Sequence, residues 1–522
     1  SLRMGISTVA LLPLFVAVSC ASFPFPFFHG RPSGGFVDGG AQRVHEMKGD
    51  SVRDTTAWPN VTLYNFTQQV VHGNASFGTF SQRYWYNTNY INKTISGDSD
   101  IIFLMIQGES IATDRWAGYP NYQYLQMAFE HGAHAFQLEH RCFGYSRPKN
   151  DLTVETLEFC HIEDAIEDIA EFINAMNKLH SFKNPRWITF GGSYPGILSA
   201  LFRQAHPELT KGAVASSAPL HFTFDMWQYA VSMEETFRTI PGCAENIQAA
   251  FTLMQQKTMT ITGRQDLNKA FNLAPPFTNQ STQLDIDNFF ANVFAAFQDI
   301  VQYTFDGRND DTKSTRNINT LCSKMNTTDA LAAVWDVVTF ANGMNKTDAF
   351  ANSYSDLIKT LQDTTFDDEN PMLDRASNRG WLWLQCQQLG VQQSTDQGRN
   401  IFGQTVPVNY FLTMCRDGFP ETNNTAKSHL SAGLQHQRTT EARKKYGNGV
   451  FDATNVVLPN GSFDPWHKGG IYEANPQKGI YPILINGTAH CADMYEQYNG
   501  EPAALSAARD QIRGYVSQFL NQ

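Results

Sequence analysis

The segment Ile188-Thr-Phe-Gly-Gly-Ser-Tyr-Pro-Gly196 leaves this chain few ways to fold. Strand-forming residues run into two glycines and a serine, and Ile197 to His206 then repeats apolar residues at helical spacing. A strand that turns so tightly into a helix implies a sheet whose strands alternate with helices. The flanking sequence agrees. Asp100-Ile-Ile-Phe-Leu-Met-Ile106 is a continuous apolar run ending in Gln107-Gly108-Glu109-Ser110, the pattern of a buried strand entering a loop. Ala133 to Glu139 reads as a second strand, Trp187 to Phe190 as a third and Gly212 to Ala215 as a fourth. Between the second and third, Leu157, Ile162, Ala165, Ile166, Ile169, Ile173 and Met176 recur at helical spacing. The expected class is α/β, a mainly parallel sheet covered by helices.

The alternation stops near residue 222. Residues 223–434 are mostly helical in pattern, rich in Gln, Asn, Phe and Met. Strands resume at Thr454 to Leu458 and Gly479 to Ile485, and an amphipathic helix is expected from Ala503 to Leu520. The chain of 522 residues therefore reads as one sheet, split over 56–222 and 435–522, with a helical insertion between its parts. With 39 Lys+Arg against 50 Asp+Glu, the net charge is −11. That acidic balance argues against a binder of nucleic acid, which needs a basic stripe to displace counterions.

Arg3 precedes the apolar run Val9 to Val18 and the small residues Ser19-Cys20-Ala21, a signal-peptide pattern over 1–21 with Met4 as the start. That run is too short for a bilayer, and no later segment is apolar enough to span one. Residues 22–55, rich in Phe, Pro and Gly, read as a linker or a short pro-segment. Charged residues make up only 17%, below the roughly 25% usual for globular chains, so another solubilising device is expected. Glycan acceptors at Asn60, Asn65, Asn74, Asn92, Asn279, Asn326, Asn345 and Asn423 supply one. Two more, Asn460 and Asn486, lie beside the motifs discussed next and are not expected to be used. An oxidising compartment also favours disulfides. Spacing does not fix connectivity; the expected pairs are Cys142 with Cys160, Cys243 with Cys322, and Cys386 with Cys415, leaving Cys491 over.

Ser193 sits at the apex of the strand–turn–helix, where a strained turn raises a hydroxyl above the sheet and aims the next backbone N–H, that of Tyr194, at a developing oxyanion. Such a serine needs a base, and the base needs an orienting carboxylate. Asp464 comes just after the strand Thr454 to Leu458, in Asn455-Val-Val-Leu-Pro-Asn-Gly-Ser-Phe-Asp464, and His490 just after the next. The order Ser, Asp, His, each residue at a strand end, points to nucleophilic catalysis of acyl transfer. Asp493 competes for the acid role but lies only three residues past His490. His131, His134, Glu139 and His140 are spaced unlike zinc ligands, and no metal or other cofactor is expected. Glu109, Trp381 and Trp466 are candidate substrate-binding residues.

Taken together, Thr79-Phe-Ser-Gln-Arg-Tyr-Trp85, Leu138-Glu-His-Arg-Cys-Phe-Gly-Tyr-Ser146, Gly191-Gly-Ser-Tyr194 and Asn460-Gly-Ser-Phe-Asp-Pro-Trp466 resemble a known family. It comprises the serine exopeptidases prolyl carboxypeptidase, dipeptidyl peptidase II and thymus-specific serine protease. Gly487-Thr-Ala-His-Cys-Ala-Asp-Met-Tyr495 is similar to the thymus-specific branch in particular. The resemblance runs from Phe80 to the C-terminus. It implies an α/β-hydrolase domain with an inserted helical cap, a triad of Ser193, Asp464 and His490, and peptide substrates cleaved next to proline at a chain end. Secreted or lysosomal residence, N-glycans and a homodimer are further expectations. Two patterns depart from the family: Val70-Val-His-Gly73 replaces an Asp-His-Phe signature, and Gln388 stands where a glutamate is usual in the cap. A serine esterase or lipase, or a secreted binding protein with an idle triad, are the competing readings.

Overall fold

The computed structural model describes residues 27–32, 58–306, 315–366, 368, 374–420, 430–446 and 450–522. The expected signal segment, most of 22–55 and Asn423 lie outside them. Eight strands form the main sheet: β1 (Val61–Gln69), β2 (Thr79–Asn87), β3 (Ile101–Ile106), β4 (His134–Leu138), β5 (Arg186–Gly192), β6 (Gly212–Ser216), β7 (Val456–Gly461) and β8 (Ile480–Ile485). Their order is β8-β7-β6-β5-β3-β4-β2-β1. Neighbours from β8 to β4 run parallel, while β2 and β1 are antiparallel additions at the far edge.

The alternation of β3 explains why all six of its residues are apolar. Ile102, Leu104 and Ile106 join one core, while Ile101, Phe103 and Met105 join a second core on the opposite face. On the first face lie α2 (Ile162–Leu179) and α3 (Tyr194–Ala205); on the second lie α1 (Gln123–His131) and α6 (Ala503–Leu520). In α2 the buried Ile162, Ala165, Ile166, Ile169, Ile173 and Met176 form a single stripe. Burying each such isoleucine contributes roughly 1.5–3 kcal/mol. The helical spacing reads from Leu157, but the helix starts at Ile162. A separate turn, Val154–Leu157, precedes it, and Cys160 is tied to Cys142 between them.

Between β6 and β7 the chain leaves the sheet to build a helical cap. It includes α4 (Gln283–Gln302) and α5 (Arg375–Leu384). Helix Ala432–Lys445 packs against Gln385–Leu389, so the last cap helix extends past residue 435. Disulfides join Cys142 to Cys160, Cys243 to Cys322, and Cys386 to Cys415, leaving Cys491 as a buried thiol. This is the α/β-hydrolase fold with a large helical insertion. No helix among the described residues is long and apolar enough to cross a membrane.

Residues 27–32 depart from the linker reading. Phe27–Phe28 pairs antiparallel with Arg31–Pro32, and all six residues are buried. Six residues are too few to show a period, so composition alone reads them as part of a linker or a short pro-segment.

Candidate active site

The site is built at the carboxyl ends of β5, β7 and β8. Ser193 adopts φ 61° and ψ −128° between β5 and α3, a conformation that costs a non-glycine residue strain. Its N–H donates to the Ser216 carbonyl at 2.9 Å, fastening the turn to the end of β6. The glycines around it are required by close approach. A Cβ on Gly191 would sit 2.1 Å from the Pro195 carbonyl oxygen, and one on Gly196 2.7 Å from that of Ser216. Pro195 occupies a position where this turn usually carries glycine. It is accommodated because Gly108, after β3, lacks the Cβ that would meet the proline ring at 2.5 Å.

Asp464 and His490 meet as their positions after adjacent parallel strands require. His490 Nδ1 lies 2.7 Å from Asp464 Oδ2, and both side chains are fully buried. The other oxygen, Asp464 Oδ1, accepts the Trp466 N–H at 2.9 Å, which fixes the carboxylate's rotation. His490 is held from the cap as well, its N–H donating to the Gln302 carbonyl at 2.9 Å. Cys491 links this loop to the serine turn, its N–H donating to Ser217 Oγ at 2.9 Å. Its thiol interacts with the backbone at Ser193, and burial pushes the thiol's pKa well up, so it stays protonated. Asp493 goes elsewhere: its Oδ2 accepts from Ser216 Oγ at 2.5 Å, and burial pushes its carboxyl up to about 6.

Tyr194 supplies the backbone N–H after the serine. Its buried hydroxyl lies 2.9 Å from His140 Nε2, and His140 Nδ1 lies 2.6 Å from the Arg141 carbonyl. A carbonyl only accepts, so Nδ1 carries the proton and Nε2 accepts from the tyrosine. Burial lowers the His140 pKa to about 4, keeping the ring neutral. The other members of the histidine-rich stretch face different partners. His134 Nδ1 meets the Tyr86 hydroxyl at 2.6 Å, and Glu139 Oε2 accepts from Arg83 Nε at 3.0 Å and Ser146 Oγ at 2.6 Å. Among the described residues no cluster of three or more His, Cys, Asp or Glu is arranged to hold a metal.

Glu109, Trp381 and Trp466 are all buried, the first two near the serine turn and Trp466 beside Asp464. Glu109 follows Gly108, Trp381 lies 5.9 Å from the Tyr194 ring, and Trp466 donates its indole N–H to Gln302 Oε1 at 2.9 Å. Gln388 lies instead at the start of α2, where its Oε1 accepts the Ile162 N–H at 2.8 Å and its Nε2 donates to Glu163 at 2.5 Å. Sequence reasoning missed Gln302, the carboxyl-terminal residue of α4. Its amide also accepts from the Tyr229 hydroxyl at 2.7 Å, and its carbonyl holds His490. A lone glutamine ending an apolar helix carries no signal of that role.

Of the expected glycan acceptors among the described residues, Asn60, Asn65, Asn74, Asn92, Asn279, Asn326 and Asn345 are exposed. Asn460 is buried, whereas Asn486 is exposed, so position beside the site sets only the first apart.

Comparison with known proteins places these features in context. Residues 72–512 match the family model described as serine carboxypeptidase S28. The chain is 42% identical over 520 residues to Putative serine protease F56F10.1 of Caenorhabditis elegans, covering 98% of this chain and 93% of that one. It is 27% identical to the thymus-specific serine protease of Mus musculus, over 85% of this chain and 84% of the relative. It is 24% identical to the lysosomal Pro-X carboxypeptidase of Homo sapiens, over 88% and 90% respectively.

Proposed function

Because the chain belongs to the serine carboxypeptidase S28 family, we propose that it is an exopeptidase of the secretory pathway, secreted or lysosomal, that cleaves next to proline through Ser193, His490 and Asp464. The buried 2.7 Å contact between His490 Nδ1 and Asp464 Oδ2, at strand ends beside the serine turn, is the observation that carries this reading. With Nδ1 engaged by the carboxylate, Nε2 is the ring nitrogen that takes the proton from Ser193 Oγ as it attacks the scissile carbonyl. Asp464 holds the tautomer and stabilises the imidazolium. The Tyr194 N–H and the backbone at Gly108–Glu109, packed against Pro195, supply the oxyanion donors. His490 then protonates the leaving amine, and water hydrolyses the acyl-enzyme by the same route in reverse. The cap over the site restricts entry to chain ends. Preference for proline and residence in the secretory pathway rest on the likeness to a lysosomal Pro-X carboxypeptidase, with disulfides and exposed acceptor asparagines in support.

The test pairs Ser193→Ala with two substrates, a peptide ending in Pro-Xaa and an Xaa-Pro dipeptide amide. Wild type is expected to cleave one and to react with a fluorophosphonate probe, while Ser193→Ala does neither and retains its melting transition. A folded Ser193→Ala variant that still turns over peptide removes the assignment. Ester hydrolysis far outpacing both peptides would favour an esterase.

A further inference from the structure

The N-terminal hairpin meets the same residues that were singled out as substrate contacts. The Trp381 indole donates to the His29 carbonyl at 3.1 Å, and the Gln302 amide donates to the Gly30 carbonyl at 2.9 Å. Gly30 lies so close to Trp466 that an added Cβ would stand 2.2 Å from its ring. Arg31 donates through Nε to the Glu109 carbonyl at 2.7 Å, and its two terminal nitrogens each bond one oxygen of Asp374 at 2.6 Å. A further bond runs from Nη1 to Asn378 Oδ1 at 2.7 Å. At 1% exposure, Arg31 sits in a built guanidinium site shared by the loop after β3 and the start of α5. Side chains that donate to both carbonyls of the hairpin's turn, with the next side chain anchored in a pocket, hold this segment by the contacts that hold a bound peptide loop.

We propose that residues 27–32 are an intramolecular occupant of the substrate cleft, anchored by Arg31, and that a peptide reaches Ser193 only when they leave. This rests on the catalytic reading above. An occupied cleft scales apparent affinity by the fraction of molecules in the open state, so loosening the anchor raises activity without altering the triad.

Two full-length variants test it. Arg31→Ala removes the anchor, and Gly30→Val crowds the hairpin off Trp466 while leaving the Arg31 side chain in the sequence. Both are compared with wild type for fluorophosphonate labelling rate, peptide kcat/KM and thermal melting. Labelling and kcat/KM are expected to rise about tenfold or more in both folded variants. Added peptide Phe-Phe-His-Gly-Arg-Pro should return Arg31→Ala to the wild-type rate, and Phe-Phe-His-Gly-Ala-Pro should not. Labelling at the wild-type rate in both folded variants overturns the occupant and leaves the catalytic reading standing. Loss of the folded state in both also overturns it, since an occupant can leave and a core segment cannot. No labelling of any form, with all three folded, removes the catalytic reading and the proposal with it.

Discussion

At the residue scale, the two oxygens of Asp464 are divided between the Trp466 N–H and the His490 ring. An amide in its place cannot accept from Nδ1–H and satisfy the same geometry, so the imidazole is biased to the wrong tautomer. Asp464→Asn should therefore lower kcat by about 10⁴-fold, the size of the corresponding loss in other serine peptidases. KM and the melting transition should change little; a variant within tenfold of wild type would place the orienting acid elsewhere. His140 acts one step further out, accepting from the hydroxyl of Tyr194, the residue whose N–H is proposed as an oxyanion donor. Replacing it with Phe strands a buried hydroxyl at a cost of about 1–3 kcal/mol. We expect kcat to fall with KM nearly unchanged, and His140→Gln, which retains an acceptor, to recover most of the loss. Equal kcat for the Phe and Gln variants would show that His140 only fills space.

At the element scale, the cap is a long excursion closed by its own cross-link. Cys243, at the start of helix Cys243–Thr258, bonds Cys322 in helix Ile318–Met325 across a separation of 79 residues. Replacing both with Ser should cost about 2–5 kcal/mol, read as a lower urea midpoint for cap unfolding. A midpoint unchanged from wild type would mean that this cross-link adds nothing to the packing and the Cys386–Cys415 bond. The elements that position the site were legible because each carries a strong local pattern. β3 is apolar throughout, α2 repeats at 3.6, and the serine turn needs glycines at fixed places. β1 and β2 were not legible. β1 is an exposed edge strand whose Thr, Asn, Gln and Tyr leave no clean apolar face, and β2, paired on both sides, buries Gln82, Tyr84, Tyr86 and Asn87 rather than an aliphatic run. The hairpin at 27–32 and Gln302 escaped for a different reason. Part of what they do runs through the backbone carbonyls of His29, Gly30 and Gln302, which leave no mark on residue identity, and the side-chain partners of Arg31 and Gln302 lie far away in sequence.

For the whole molecule, buried titrating groups set opposing slopes of stability against pH. Burial pushes His29 down to about 3 and His134 and His140 down to about 4. These rings stay neutral in the fold while the unfolded chain protonates them near 6.5, so their contribution is lost as pH falls below that value. Asp493 and Asp287 behave in the opposite sense, because burial raises each from 3.8 to about 6. Their folded forms keep a proton that the unfolded chain has released, so stability is lost as pH rises from about 4 to about 6. The two effects overlap and hide one another in a single profile. Asp493→Asn separates them, since the histidine contributions are common to both proteins and cancel in the difference. At pH 4 the carboxyl is protonated in the fold and the variant should match wild type. By pH 7 the buried carboxylate has ionised, and the variant should be the more stable by about 3 kcal/mol, the raised pKa converted to energy. Urea unfolding at pH 4, 5, 6 and 7 measures that widening gap. Parallel curves would mean that Arg509, whose charge opposes the shift, holds Asp493 ionised throughout.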